Sequence, residues 1–308
     1  MPTPASPSAR ASISGRSSHG PEVLGPLLRD WRTRRRRSQM DLALEAGVSP
    51  RHLSFIETGR SRPSPETLLA LAQCLDVPLR ERNHLLLAAG FAPRYSERSI
   101  AEIQASARAD GADGELAAVR QALEQILAAH DPMPGLVLDR QWNVVLANRS
   151  AGMLTQLLPP ALREPPINVF RASLHPEGLA RFTENLAEWA DYLVATLRRA
   201  VQRAGDPALA ALMDEVLTYP SAQAAQAKAS EASGAVRADR ATAPVLLVPC
   251  VLALPIGRVR LFTTLTTFGT PRDITLEELC IELFYPADAE SGEVMRRATT
   301  TPSAEEIR

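Results

Sequence analysis

The stretch from Gln39 to Gly59 constrains this chain more than any other. Ser38 reads as the N-cap of a helix over Gln39–Glu45, and Gly47 stands where a chain leaving that helix needs positive φ. Ser49 followed by Pro50 then reads as N-cap and first-turn residue of a second helix, which Gly59 ends. Leu42, Ala43, Val48, Leu53 and Ile56 are the apolar positions. Ala43 is small where two helices cross closely, Val48 plugs the corner, and Leu53 and Ile56, three apart, pin the second helix to a core. Three further helices flank the pair. One runs from Val23 to Arg36 with Leu24, Leu27, Leu28 and Trp31 on one face. One is opened by Ser64-Pro65-Glu66 and runs through Cys74 and Leu75. One opens at Pro78 and runs through Ala89 to Gly90. The expectation is an all-α five-helix domain of helix-turn-helix type over residues 21–95.

That arrangement leaves Ser49, Pro50, Arg51, His52, Ser54 and Phe55 near the outward N-terminal end of the third helix. In a helix-turn-helix this end enters the major groove of duplex DNA. Arg51 has the fork to donate two hydrogen bonds to a guanine edge. His52 suits a base or a phosphate, and Phe55 a thymine methyl. Gln39, heading the preceding helix, and Arg60 and Arg62, just beyond Gly59, are candidates for phosphate. A small helical bundle that binds another protein shares the same apolar spacing. The joint occurrence of Gln39, Leu42-Ala43, Gly47-Val48-Ser49, Leu53-Ser54, Ile56-Glu57, Gly59 and Pro63 favours DNA. The run Arg34 to Arg37 fits two readings, a solvated helix end favoured by the dipole or a strip along the DNA backbone.

Charge supports this division. Residues 23–95 hold 12 Arg against 7 acids, whereas residues 115–290 hold 15 basic against 20 acidic residues. A basic first third on an acidic remainder suits a polyanion-binding module joined to something else. Lys228 is the single lysine among 34 basic residues, a bias that goes with high Ala and Pro and carries no mechanism. Cys74, Cys250 and Cys280 are far apart among apolar neighbours, so buried core thiols are expected rather than disulfides or a zinc site. Residues 1–20, rich in Pro, Ser and Ala, lack the apolar run of a signal peptide and are expected to be a disordered tail. No stretch reaches the roughly 20 apolar residues of a membrane span, so a cytoplasmic location is expected, without membrane contact.

Beyond a linker over 96–114, the chain reads as a helix over Glu115–His130, broken by Asp131-Pro132-Met133-Pro134-Gly135. Leu136–Asp139 and Trp142–Ala147 follow as two strands joined at Arg140-Gln141. Leu179–Ala204 and Pro207–Leu217 read as helices, and Ser221–Ala243 as a weak helix or loop. Val245–Leu254, Arg258–Thr267 and Leu279–Tyr285 read as strands, with a frayed tail from Ala287 onward. Strands at both ends with helices grouped between them imply an α+β domain with a mostly antiparallel sheet.

Residues 23–93 resemble the Xre or Cro-type helix-turn-helix. More narrowly, Arg51 to Ser54, Glu57 to Arg60 and Arg62-Pro63-Ser64 resemble the MmyB-like regulators, as does Arg80 to Pro93. The resemblance continues through Asp131 to Asn148, Asn168, Phe170-Arg171, Leu174-His175-Pro176 and Gly178-Leu179. It extends to Phe268-Gly269-Thr270-Pro271, Asp273, Thr275 to Leu279, Glu282-Leu283-Phe284 and Pro286-Ala287-Asp288. What the resemblance implies is a PAS-like ligand-binding domain over 115–291, a flexible tail over 292–308, and fatty acids as the effector class in place of any cofactor. A PAS-like sheet covered by helices encloses an apolar cavity with few polar groups. Trp142, Phe170, Trp189, Tyr192, Phe262 and Phe268 are candidates to line it, each also readable as plain core. Arg171 and His175, four apart, are candidates for a ligand carboxylate or, equally, for a cap or salt bridge. Asn148 and Asn168 are ligand candidates that serve turns just as well.

No catalytic constellation accompanies these features: the five histidines are scattered, and there is no phosphate-binding glycine loop. The expectation is a one-component, sequence-specific DNA-binding transcription regulator. It acts as a homodimer on an operator and responds to a small apolar ligand. The alternative keeps the DNA binding but makes the second domain a dimerisation or protein-binding module without a ligand.

Overall fold

The computed structural model describes residues 21–105, 114–204, 206–224, 248–269 and 271–300. The expected tail over 1–20 and most of the Ser221–Ala243 stretch lie outside them, as do residues 301–308. Backbone contacts divide the chain into two units, residues 1–96 with 272–274, and residues 97–271 with 275–308.

The first unit holds five helices, α1 (Pro21–Arg34), α2 (Gln39–Glu45), α3 (Pro50–Glu57), α4 (Pro65–Cys74) and α5 (Leu79–Ala88). Three of them begin as their caps dictate. The hydroxyls of Ser38, Ser49 and Ser64 accept the N–H groups of Asp41, His52 and Thr67, with Pro50 and Pro65 in the first turn. Gly47 and Gly59 have φ of 69° and 72°, the left-handed conformation that ends α2 and α3. Leu24, Leu28, Leu42, Ala43, Leu53, Ile56, Leu68, Leu71 and Leu86 make one buried core. Helices α1 and α3 approach very closely at Gly25, where an added Cβ would lie 2.4 Å from the Glu57 carbonyl oxygen.

The second unit is built on one antiparallel sheet of β1 (Gly135–Leu138), β2 (Val144–Ala147), β3 (Cys250–Leu254), β4 (Gly257–Thr266) and β5 (Cys280–Pro286). The strand order is β2-β1-β5-β4-β3, antiparallel throughout as the sequence led us to expect. Two turns set the register. Asp139 Oδ1 accepts the N–H groups of Gln141 and Asn143 between β1 and β2, with Trp142 at φ 65°. Pro255 and Ile256 link β3 to β4, and Gly257 takes φ 130°.

Helices cover both faces. On one, α6 (Ile100–Ala105) and α7 (Gly114–His130) bring Ile103, Leu123 and Leu127 against Val137, Val145 and Ile281. On the other lie α8 (Arg149–Gln156), α9 (Pro160–Arg163), α10 (Val169–Leu174), a 3₁₀ turn over Leu179–Phe182, α11 (Leu186–Ala204) and α12 (Pro207–Val216). A short α13 (Ile274–Glu278) precedes β5, and α14 (Ala289–Thr300) follows it.

Several sequence-based boundaries change. The expected frayed tail from Ala287 is instead largely α14, with Met295 only 1% exposed. It forms because β4 runs on past the end of β5 and its backbone needs new partners. The Arg260 carbonyl accepts the Ala287 N–H, and the Arg260 N–H donates to Ser291 Oγ. The long helix expected from Leu179 splits, because Asn185 accepts the Val251 N–H and donates to the Pro249 carbonyl, tying that turn to the sheet edge. Helices α8 and α10 went unread, each being one or two turns long and capped by asparagine.

Candidate functional sites

The outward end of α3 exposes Ser49, Pro50 and Arg51 to solvent, with His52, Ser54 and Phe55 half-buried. Arg51 and Phe55, four apart, share one helix face, and the Arg51 guanidinium lies 5.3 Å from the centre of the Phe55 ring. Arg60 is exposed just beyond Gly59. Two other candidates are tied down. Gln39 Nε2 donates to Glu57 Oε2 at 2.7 Å. Arg62 donates to the Gly90 carbonyl and stacks 4.5 Å over the Phe91 ring. Gln39 is thus engaged within the unit, whereas Arg62, exposed and held through one nitrogen, keeps further donors.

Glu57 is the hub under this surface. It takes Arg32 Nε and Nη2 at 2.6 and 3.0 Å on its two oxygens, with side-chain exposures of 11% and 2%. The hydrogen bonds to Glu57 raise the guanidinium pKa further against the cost of burial. The arginine run resolves in part. Arg34 pairs with Asp30, Arg35 donates to the Leu75 and Asp76 carbonyls, and Arg37 pairs with Glu45. Arg35 and Arg37 tie helix ends together, Arg34 pairs within α1, and Arg36 is exposed with φ 52°.

In the second unit a cavity of about 80 Å³ lies between the sheet and α8, α10 and α11. At about 10–15 Å³ per water-sized group on this measure, it holds roughly half a dozen such groups. Its wall is apolar: Leu136 and Val144 from β1 and β2, Leu252 and Leu261 from β3 and β4, Phe284 from β5, and Leu154, Trp189 and Leu193 from the helices. Among the described residues no lining side chain is cationic. Among the described residues the one carboxyl in the wall is that of Glu282, 5% exposed, at the centre of the sheet. Its Oε1 accepts the Thr263 hydroxyl at 2.9 Å, and its Oε2 has no hydrogen-bond partner among the described residues. Burial pushes this carboxyl up to about 7, against the opposing effect of the Thr263 hydrogen bond. Burial, and secondarily the Glu282 charge, pushes the neighbouring thiols of Cys250 and Cys280 up to about 12 and about 11.

Of the ten sequence candidates for this cavity, only Trp189 is in its wall. The structure gives the others different work. Arg171 forks onto Glu215 at 2.7–3.0 Å, and Tyr219 donates to the same carboxylate. Hydrogen bonding from Arg171 holds Glu215 below the usual carboxylate range. His175 Nδ1 accepts the Glu177 N–H and meets the Tyr219 ring edge-on. Asn148 caps α8 and bonds Gly135, Leu127 and Met133. Asn168 caps α10 and bonds Gln141 and Asn143. Phe170 is completely buried against Trp142, Tyr192 stacks on Trp189, Phe262 stacks on Tyr285, and Phe268 packs with the α7 cluster. Two aromatics, Trp189 and Phe284, do reach the wall, but most of it is made of smaller aliphatic side chains. The signal for Glu282 was present: an acid midway along an apolar strand, sharing a face with Cys280 and Phe284.

Comparison with known proteins bears on both sites. Residues 119–298 match the model of the MmyB-like transcription regulator ligand binding domain, and residues 28–82 match a helix-turn-helix model. The chain is similar over part of its length to the transcriptional regulator ClgR of Mycobacterium tuberculosis, in strains CDC 1551 / Oshkosh and ATCC 25618 / H37Rv. Identity is 37% over 91 residues, 30% of this chain and 78% of that protein. A crystal structure of the clp gene regulator ClgR from Corynebacterium glutamicum aligns at 24% identity and a TM-score of 0.20, over 36% of this chain and 94% of that one. The first of these models describes a domain of transcription regulators. No helix among the described residues is long and apolar enough to cross a membrane. With more than half of its length in the ligand-binding model and a helix-turn-helix ahead of it, the chain belongs to the MmyB-like transcription regulators.

Proposed function

We propose that this DNA-binding regulator is a one-component switch. Its α3 end reads an operator, and a small apolar molecule in the cavity of the second unit alters the affinity for that operator. The observation that carries the reading is the apolar, helix-covered cavity in the same chain as an exposed, arginine-bearing recognition helix. Arg51 and Phe55 contact base edges and Arg60 a phosphate. The protein acts as a homodimer, since a two-fold operator mirrors a two-fold protein. The ligand is fatty-acid-like in having an alkyl chain, and it acts only through its difference in affinity for the DNA-competent and DNA-incompetent states.

The test is operator selection with the full chain from random duplexes, followed by anisotropy titrations with and without saturating alkyl ligands of six to fourteen carbons. The expected result is a palindromic site and a ligand-dependent change in Kd of at least about fivefold, within the usual range of allosteric coupling. A site bound equally tightly at every ligand concentration would leave the second unit as a dimerisation or protein-binding module.

A further inference from the structure

Two sequence motifs stand outside both the α3 end and the described cavity wall: the stretch around Asn83, and Asp273 with Thr275 to Leu279. The structure brings them together. Asn83, buried on α5, accepts the Arg94 and Tyr95 N–H groups on Oδ1 at 2.9 and 3.1 Å. It also donates from Nδ2 to the Tyr95 carbonyl at 2.8 Å. The next residue, Ser96, forms a parallel bridge with Asp273. Its hydroxyl donates to Asp273 Oδ2 at 2.7 Å, and its carbonyl accepts the Ile274 N–H at 2.9 Å. Residues 272–274 therefore belong to the first unit, although they stand between two stretches of the second. Within the second unit, Thr275 donates its hydroxyl to the Arg98 carbonyl. Asp273, Ile274 and Thr275 are 9%, 2% and 6% exposed.

We propose that Ser96 and Asp273, with Asn83 behind them, form a latch that carries the state of the cavity to the DNA-binding unit. It rests on the reading of the cavity as the effector site and names the residues through which that site regulates. Ile274 begins α13, which leads directly into β5, and β5 puts Glu282 and Phe284 into the cavity wall. Leu279 and Ile281, at this junction, are buried with Ile103, Leu123 and Leu127. Packed segments of this kind shift between discrete arrangements rather than bend. An occupant that displaces β5 therefore displaces Ile274, and with it the N–H and the carboxylate that hold Ser96. At the other end, Asn83 grips the N–H and the carbonyl of Tyr95, so a pull on Ser96 reaches α5. Leu85 and Leu86 of α5 share the core with Leu53 and Ile56 of α3. Ser96 contributes hydrogen bonds rather than apolar surface, so removing its hydroxyl weakens the latch and leaves the cores intact.

The test compares wild type, Ser96→Ala and Ser96→Thr as full-length proteins. Each is titrated with the selected operator without ligand and with saturating 1-octanol, octanoate or tetradecanoate. Binding of the same compounds is followed separately by displacement of an apolar fluorophore. In the wild type, the most effective compound is expected to change the operator Kd at least about fivefold. Ser96→Ala is expected to bind that compound with wild-type affinity, yet to lower the factor at least about twofold. Ser96→Thr keeps the hydroxyl donor and is expected to restore it. Hydrogen exchange on the wild type is the second measurement, and it decides alone if Ser96→Ala fails to bind the operator. The Ile274 and Tyr95 amides are expected to exchange at a different rate once the compound is bound.

A full response in Ser96→Ala overturns the latch while leaving the cavity as the effector site. So does a responsive wild type in which both amides exchange as before. Equal loss of response in Ser96→Ala and Ser96→Thr marks a packing effect and also overturns it. A wild type whose operator affinity none of the three compounds changes overturns the switch and the latch together.

Discussion

Arg51 and Glu282 are both single charged side chains, but the structure sets them opposite tasks. Arg51 is exposed at the start of α3, and its fork can meet a guanine edge without first breaking an ion pair. Arg51→Ala is expected to weaken operator binding by about 1–3 kcal/mol and to relax preference at one base position. Arg60→Ala is expected to weaken all duplexes alike and to reduce the slope of log K against log salt by about 1. Anisotropy titrations across a salt series and a panel of single-base operator variants separate the two. An Arg51→Ala protein that keeps wild-type base preference would mean that α3 is oriented differently on DNA.

Glu282 is expected to show itself in the pH dependence of stability. Its carboxyl is pushed up to about 7 in the folded protein, mainly by burial, whereas the unfolded chain loses that proton near the ordinary value of 4.5. Between those two values the folded state holds more protons than the unfolded state, so stability falls as pH rises through the window and levels off above about 7. Glu282→Gln is neutral throughout. Thermal melts of the ligand-free protein at pH 5 and pH 8 are expected to differ less for the variant than for the wild type. At roughly 1.4 kcal/mol per pKa unit the difference is on the order of 2 to 3 kcal/mol. A variant whose pH profile overlays the wild type would show that Glu282 is not the titrating group.

At the scale of elements, the first unit depends on one close approach. Gly25 lets α1 lie against the C-terminal end of α3, which brings Arg32 to the buried Glu57 and Gln39 onto the same carboxylate. Gly25→Ala places a methyl 2.4 Å from a backbone oxygen, which neither helix can accommodate without moving. The expected loss is roughly 1–3 kcal/mol, the usual scale of overpacking, read as a lower urea midpoint for the first unit. Operator affinity is expected to fall with it.

The caps and the turn of this unit were readable in advance, because Ser38, Ser49, Ser64, Gly47 and Gly59 act through local hydrogen bonds and local φ. The partners of Gln39 and Arg62, Glu57 and Gly90, are 18 and 28 residues away, and no local pattern reveals such pairing. In the second unit the strand pattern and its antiparallel class were legible from alternation and turns. The cavity wall was not. It draws on five strands and several helices, and whether Phe170 or Leu154 faces the void depends on how those elements pack together.

Across the whole molecule, the proposed switch requires that a change confined to the cavity be felt at the operator, and that the two sites be separable by substitution. Ala172 lies in the cavity wall on α10 and is 9% exposed, while α3 belongs to the other unit. Ala172→Leu adds three methylene-sized groups where the native side chain leaves room. It is expected to preserve or raise the melting temperature and to keep the ligand-free operator affinity within about threefold of wild type. The ligand response should be lost, because filling the void removes the site at which a ligand distinguishes two states. The measurement is an operator titration of wild type and variant, each with and without saturating 1-octanol. An Ala172→Leu protein that remains fully responsive would place the effector elsewhere in the chain. One that binds the operator permanently as ligand-bound wild type does would identify the filled cavity itself as the signal, with the ligand acting by occupying volume against Leu252, Leu261 and Phe284.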